Sequence, residues 1–184
     1  MLQFGLLLLC TGALAQIPSL GSCPNLKVVE EFDVRKYLGA WYEAERYFAI
    51  NEMGGKCITA KYSLNEDGSI KVINSLINIV SGTNNSIEGT AKLVGKSGES
   101  KLTLSFPSLP VQIESSFWIL DTDYSNYSVA WSCQDFGLFN TKIAWIFTRE
   151  RHPENEVLLK AYEVFNKYDL DKSFLVRTNQ KDCN

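Results

Sequence analysis

A single histidine, His152, is all that this chain of 184 residues offers for imidazole chemistry. It stands beside Pro153, where a helix would begin, and reads as a solvated turn residue rather than a general base. The five cysteines never form a C-x-x-C pair, and one histidine adds little to a zinc set. No G-x-S-x-G elbow, phosphate-binding glycine loop or metal-spaced cluster occurs. Asp121 and Asp123 stand close together, but paired-carboxylate catalysis needs a cleft and a raised pKa, and a turn after a strand is the simpler account. These absences argue against an enzyme. Basic residues are also in short supply. Eighteen Lys and Arg against 21 Asp and Glu leave a net charge of -3, without the basic face that nucleic acid requires or the polybasic segment that anionic membranes attract. No internal repeat, low-complexity tract or Pro/Gly-rich linker divides the chain, so its length suits one domain.

Charged side chains are missing altogether from residues 1–16. Leu6-Leu7-Leu8-Leu9-Cys10 forms an apolar core and Ala13-Leu14-Ala15 an A-x-A cleavage site, so residues 1–15 read as a secretory signal peptide and Gln16 as the mature start. The basic residue that usually precedes such a core is lacking, which leaves the α-amino group as the positive charge. The apolar run is too short to span a bilayer. Secretion gives the cysteines their meaning. Cys10 departs with the signal, and Cys23, Cys57, Cys133 and Cys183 remain as an even set in an oxidising compartment. Two disulfides are expected; four cysteines allow three pairings, and spacing does not choose among them.

What is plentiful is apolar residues, at 45%, cut by turn signals into strand-sized runs. Strands are expected at 41–48, 57–64, 70–78, 86–94, 100–106, 115–121, 127–134 and 142–148. Asp67-Gly68 and the Gly95-Lys96-Ser97-Gly98 stretch supply turns, while Pro107 and Pro110 bracket a loop because neither can donate to a strand ladder. Eight consecutive strands on short connections read as antiparallel and can close into a barrel that holds one small ligand; an open sandwich is the alternative. One helix follows, with Pro153 at its first position and Val157, Leu158, Ala161, Tyr162, Val164, Phe165 and Tyr168 on one face. Residues 174–176 fit a short final strand.

Alternate strand residues point inward. Tyr62, Asn74, Leu76, Leu104, Phe106, Phe117, Trp145 and Phe147 are compatible with inward faces. A filled core and a ligand cavity both remain open on this ground. Asn74 leans toward the cavity, because an amide among apolar neighbours costs free energy unless a ligand or water satisfies it.

Gly39-Ala40-Trp41-Tyr42, Thr122-Asp123-Tyr124 and Arg149 together resemble the signature of the lipocalins. Further stretches are similar to the branch that holds apolipoprotein D, the Lazarillo-type proteins and the insect bilin-binding pigments: Cys23-Pro24-Asn25, Lys36-Tyr37-Leu38-Gly39, Tyr62-Ser63-Leu64, Ile87-Glu88-Gly89 and Trp118-Ile119-Leu120. The resemblance implies an all-β domain over residues 16–184, an eight-stranded antiparallel up-and-down barrel closed at one end, with one C-terminal flanking α-helix. It implies that Trp41 plugs the closed end under Arg149, a cation–π contact of about 0.5–2 kcal/mol, and that Thr122-Asp123-Tyr124 turns beside it. It pairs Cys23 with Cys133 and Cys57 with Cys183. Tyr62, Asn74, Phe106, Phe117 and Trp145 fall at its ligand-binding positions, and Phe147 stands beside them.

The implied function is a secreted carrier that binds a small hydrophobic ligand (fatty acid, sterol-like lipid or retinoid) without turning it over. No cofactor is implied beyond a bound lipid or tetrapyrrole. The alternatives are a bilin or carotenoid pigment carrier, a lipocalin-type isomerase, which would want a pocket cysteine, and a redox-protective protein using Met53. Three apolar stretches fall at the implied mouth: Phe48-Ala49-Ile50, Leu109-Pro110-Val111 and Phe136-Gly137-Leu138-Phe139. They would either fold over the pocket or touch a membrane or lipoprotein surface. Asn84 and Asn126 open N-glycosylation sequons, the first nearer the mouth and the second near the closed end.

Overall fold

Turn residues leave runs of five to ten residues, long enough to pair with their sequence neighbours and too short to do much else. The computed structural model describes residues 17–49, 52–109 and 114–183. The expected signal peptide and the mouth-loop residues Ile50, Pro110 and Val111 lie outside them. The strands are β1 (Ile17–Leu20), β2 (Gly39–Tyr47), β3 (Gly55–Leu64), β4 (Ile70–Asn78), β5 (Asn84–Leu93), β6 (Lys101–Ser105), β7 (Ser115–Thr122), β8 (Tyr127–Asp135), β9 (Phe139–Thr148) and β10 (Leu175–Arg177). Strands β2 to β9 pair antiparallel in sequence order, and β9 pairs back onto β2. That last pairing closes the sheet into an eight-stranded barrel and rules out the open sandwich.

Register sorts the side chains. Trp41 pairs with Ala60, Ala60 with Asn74, and Tyr62 with Val72. Phe117 pairs with Leu102, and Ala130 with Trp145. These residues share the lumen face with Phe32, Tyr37, Ala91, Ile119 and Phe147. The outer face of β8 and β9 carries Val129, Trp131, Ala144 and Ile146 into a second core. Bulges in β2, β3 and β7 shift the inward–outward phase part-way along each strand.

Helix α2 (Asn155–Lys167) covers that second core with Leu158, Ala161, Val164 and Phe165 buried, while Val157, Tyr162 and Tyr168 flank them and Lys160 and Lys167 stay in solvent. Full burial of each large apolar side chain contributes about 1.5–3 kcal/mol. Phe165 meets Tyr47 edge-on at 6.1 Å. Pro153 is not the first helical residue. Glu154 takes an extended backbone and caps the helix, so the proline stands one place outside it.

Three other expectations change. Residues 17–20, outside the expected strands, form β1, because the mouth half of β9 would otherwise leave its ladder groups unpaired; Ile17 pairs with Lys142 and Leu20 with Phe139. A short helix α1 (Val34–Tyr37) precedes β2, capped by Asp33, whose Oδ1 accepts from the Arg35 amide at 3.0 Å. Phe174 belongs to a 3-10 turn, so the final strand starts at Leu175.

Candidate ligand-binding site

The barrel has two unlike ends. At one, Trp41 is fully buried and donates its indole N–H to the Tyr37 carbonyl at 2.9 Å. The Arg149 guanidinium lies 3.7 Å from the Trp41 ring centroid. Its Nε donates to the Tyr124 carbonyl (2.8 Å), Nη1 to Ala40 (2.9 Å) and Nη2 to Lys36 (2.9 Å). One cation thus stacks on the floor aromatic and satisfies the carbonyls of three converging segments. Gly39 has φ +98°, and a Cβ there would stand 3.3 Å from Arg149 Nη1, so the motif glycine meets both a backbone and a space requirement.

The turn beside the floor is built from side-chain oxygens. Thr122 Oγ1 donates to the Tyr127 carbonyl at 2.6 Å and accepts from the Tyr124 amide at 2.9 Å. Asp123 Oδ1 accepts from the amides of Ser125, Asn126 and Tyr127. Burial raises the Asp123 carboxyl, but the bond from the Asn126 side-chain amide and these backbone bonds outweigh it and hold the group below its ordinary value. The six motif residues Gly39, Trp41, Thr122, Asp123, Tyr124 and Arg149 therefore meet at this end and close it. Two disulfides, Cys23–Cys133 and Cys57–Cys183, tie the N-terminal segment and the tail to the wall.

Above the floor the lumen is aromatic. The Phe117 ring lies 5.7 Å from Trp145 and 6.4 Å from Phe147, and Trp145 stacks on Phe147 at 6.5 Å. Phe106 packs on Gly89, where a Cβ would come within 2.5 Å of its ring, so the glycine makes room for the phenyl group against the wall. Tyr62 sits lower, edge-on to Tyr37 at 5.3 Å. Its burial, with Tyr37 nearby, pushes the phenol well above the ordinary tyrosine range. The structure thus places Tyr62, Phe117 and Phe147 in one inner-wall cluster, with Phe106 and Trp145 packed against it and Asn74 paired with Ala60 of the same face.

Accessibility rises along the inner wall away from the floor. Val72 and Ala91, near the floor, are fully buried. Asn74, Leu76, Phe106 and Trp145 are higher on the inner wall and keep solvent-accessible surface. The Asn74 amide makes no hydrogen bond among the described residues and keeps solvent-accessible surface, whereas Tyr62 is buried. Apolar walls with a few unsatisfied polar groups are the chemistry of a site for a mainly apolar small molecule.

The described part of the other end is apolar. Phe48, Leu109, Phe136 and Phe139 are about half exposed and Leu138 is 87% exposed, while Ala49 is buried. Phe136 and Phe139 stack at 5.0 Å. Ile79 and Val80 of the β4–β5 loop and Leu20 of β1 extend this rim, although Ile79 and Val80 border a polar Ser-Gly-Thr-Asn loop that hides them in the sequence. Asn84 is exposed on the mouth side and Asn126 in the closed-end turn. A separate open groove of about 370 Å³ lies on the outer wall, lined by Thr90, Lys92, Thr103 and Ser105 among others, which alternate with the inward residues of β5 and β6.

Sequence reasoning also missed a buried polar cluster of Glu43, Arg46 and Glu52. Alternation from Trp41 places Glu43 inward but would turn Arg46 outward; the bulge between Glu43 and Glu45 reverses the phase, and nothing in the residues announces it.

Comparison with known proteins agrees with this geometry. The lipocalin-like domain matches residues 32–180. Apolipoprotein D of Mus musculus is 40% identical over 178 residues, covering 95% of this chain and 91% of the relative. The Lazarillo protein of Schistocerca americana is 32% identical over 162 residues, covering 86% and 74%. The solved structure of insecticyanin from Manduca sexta superposes with a TM-score of 0.81 at 25% identity, covering 91% of this chain and 90% of that one. The family match over residues 32–180, the 40% identical relative and the closed eight-stranded barrel with its flanking helix place the chain in the lipocalin family.

Proposed function

We propose that the protein is a secreted carrier that takes up a small hydrophobic ligand, of the fatty-acid, sterol-like or retinoid kind, in the barrel lumen and releases it unchanged. The observation that carries this reading is the Asn74 amide, accessible and without a hydrogen-bond partner among the described residues, on an inner wall of Phe106, Phe117, Trp145 and Phe147. Asn74 or Tyr62 would hold the polar part of the ligand while the rings cover its body. Each Å² of apolar surface buried contributes about 25 cal/mol before the costs of association are deducted. Secretion is supported by the leader-like residues 1–15 and by two disulfides, and Asn84 and Asn126 are proposed to carry glycans in that compartment. An isomerase of the lipocalin type would need a pocket thiol, and the four cysteines of the mature chain are all bridged.

Titrating the delipidated protein with fatty acids, sterols and retinoids while following tryptophan fluorescence tests the reading. Quenching should saturate, weaken about tenfold or more in Asn74→Leu when the ligand carries a polar end, and shrink in Trp145→Phe. Undiminished quenching in Trp145→Phe would contradict the pocket. An absorption band in the visible from protein isolated at its source would favour the pigment-carrier alternative.

A second reading concerns the mouth. The half-exposed Phe48, Leu109, Phe136 and Phe139 and the nearly bare Leu138 and Val80 support contact of this rim with a membrane or lipoprotein surface.

A further inference from the structure

A glycosylation sequon is read through two side chains: the asparagine amide that takes the sugar and the hydroxyl two residues on that identifies it. A transferase must reach both. The chain holds two such triplets in its described residues, and the fold treats them differently. Asn84-Asn85-Ser86 opens β5, and all three residues are exposed. Only β4 flanks them, because β6 pairs with β5 over residues 90–93 and not here. Neither the Asn84 amide nor the Ser86 hydroxyl makes a hydrogen bond among the described residues.

Asn126-Tyr127-Ser128 is built the other way. Asn126 is exposed, but its amide is engaged: Nδ2 donates to Asp123 Oδ2 at 2.7 Å and to Ser125 Oγ at 3.2 Å. Tyr127 is pinned from both sides. Its amide donates to Asp123 Oδ1 at 3.0 Å, and its carbonyl accepts from Thr122 Oγ1 at 2.6 Å. Ser128, which carries the identifying hydroxyl, is fully buried and shares a 3.0 Å hydrogen bond with the Tyr37 hydroxyl. It pairs with Thr122 on one side and Phe147 on the other. No side-chain rotation brings this hydroxyl out; β8 has to leave both neighbours at the sealed end of the barrel.

We propose that Asn126 accepts a glycan only in chains whose β8 has not yet joined the barrel, whereas Asn84 stays an acceptor after folding. The inference rests on the secretion reading and adds an order to the two modifications. In the transfer, Asn126 Nδ2 bonds to C1 of the first sugar. The bond from that carbon to a lipid-linked pyrophosphate donor breaks, and one amide proton is lost as the pyrophosphate leaves. Nδ2 then has a single N–H, so a chain modified early folds with one turn bond fewer, while the amides of residues 125–127 still hold Asp123. The interval is short. Tyr37 lies 91 residues earlier and is already made, and at about 5–20 residues per second the chain from Ser128 to Thr148 follows within seconds.

The test uses the mature chain made without glycans, once folded with both disulfides and once reduced, alkylated and shown to be unfolded by circular dichroism. Each is given solubilised oligosaccharyltransferase with its lipid-linked donor, and the sites are read by peptide mass spectrometry. The unfolded chain should be modified at both asparagines and the folded chain at Asn84 alone, a complete loss at Asn126. Modification of Asn126 in the folded chain would overturn the proposal. So would a folded chain refused at Asn84 as well, since burial of the hydroxyl would then not be what separates the sites. Refusal of both sites in the unfolded chain removes the proposal together with the glycans of the secretion reading. Protein secreted by cells gives a second measurement. Slowing disulfide formation with a mild thiol reductant should raise Asn126 occupancy and leave Asn84 unchanged; an Asn126 occupancy that does not respond counts against the proposal while secretion itself stands.

Discussion

Glu43 shows what a single buried carboxyl does to the stability of the whole. Its burial, first, and the neighbouring Glu52, second, raise its pKa well above the ordinary value, while Arg46 and the Thr178 hydroxyl pull the other way. Gln180 closes the cluster from the tail, its side-chain amide donating to the Glu43 carbonyl at 3.0 Å. The folded protein therefore keeps a proton on Glu43 at pH values where the unfolded chain has lost it. Across that window the native state binds more protons, so stability falls as pH rises, by on the order of 1 kcal/mol per pH unit for one site. Below the ordinary glutamate value both states are protonated and the slope vanishes. Glu43→Gln should flatten this dependence, seen as urea midpoints that stay level from mildly acidic to neutral pH. A slope that persists unchanged in the variant would place its source elsewhere. The residue scale also divides what the sequence reveals from what it hides. Trp41, Arg149 and Asn74 were legible because an indole, a lone arginine and an amide each stand out against their strand neighbours. Arg46 was not, because its inward direction depends on a bulge that ordinary residues adopt.

Among the elements, the C-terminal tail has the role that sequence describes least. Strands β2 and β3 pair only over Gly39–Tyr42 and then diverge toward the mouth. The tail fills the gap. Strand β10 pairs with β2, the Thr178 amide donates to the Ala44 carbonyl at 2.9 Å, and the Cys57 amide donates to the Asn179 carbonyl at 2.8 Å. The Gln180 side chain bridges the Glu43 and Ile58 carbonyls. The Cys57–Cys183 bridge then locks a loop of sequence separation 126. On the chain-entropy account such a closure stabilises by about 4–5 kcal/mol. The double variant Cys57→Ser, Cys183→Ser should lose a large part of that in urea unfolding. Its amide exchange should quicken at residues 57 and 178 while the floor around Trp41 stays protected; an even loss of protection would mean that the tail is not a separable wedge. The eight barrel strands and the helix were readable from turn residues and periodicity. The final strand was readable to within one residue, whereas β1 was not, because an unpaired edge of β9 dictates it, and α1 rests on a single local signal, the Asp33 cap.

At the scale of the molecule, the asymmetry between the two ends joins structure to use. The floor is sealed by Trp41, Arg149 and the Thr122–Tyr124 turn, while the opposite rim exposes Leu20, Val80 and Leu138 almost completely and five further aromatic and aliphatic side chains by about half. Under the carrier reading, exposed apolar groups gathered at the end opposite the sealed floor favour a surface from which such ligands come. Since the chain has a net charge of -3, attraction to anionic lipid would not draw the mouth there. Contact should therefore occur with zwitterionic phosphatidylcholine vesicles and change little with salt, because apolar burial is not screened. In flotation, wild type should rise with such vesicles, and a Phe136→Ser, Leu138→Ser, Phe139→Ser variant that still quenches with ligand should stay below. Equal flotation of the two proteins, or flotation that requires anionic lipid and is abolished by salt, would show that the rim does not make the contact and that these residues serve only to roof the chamber.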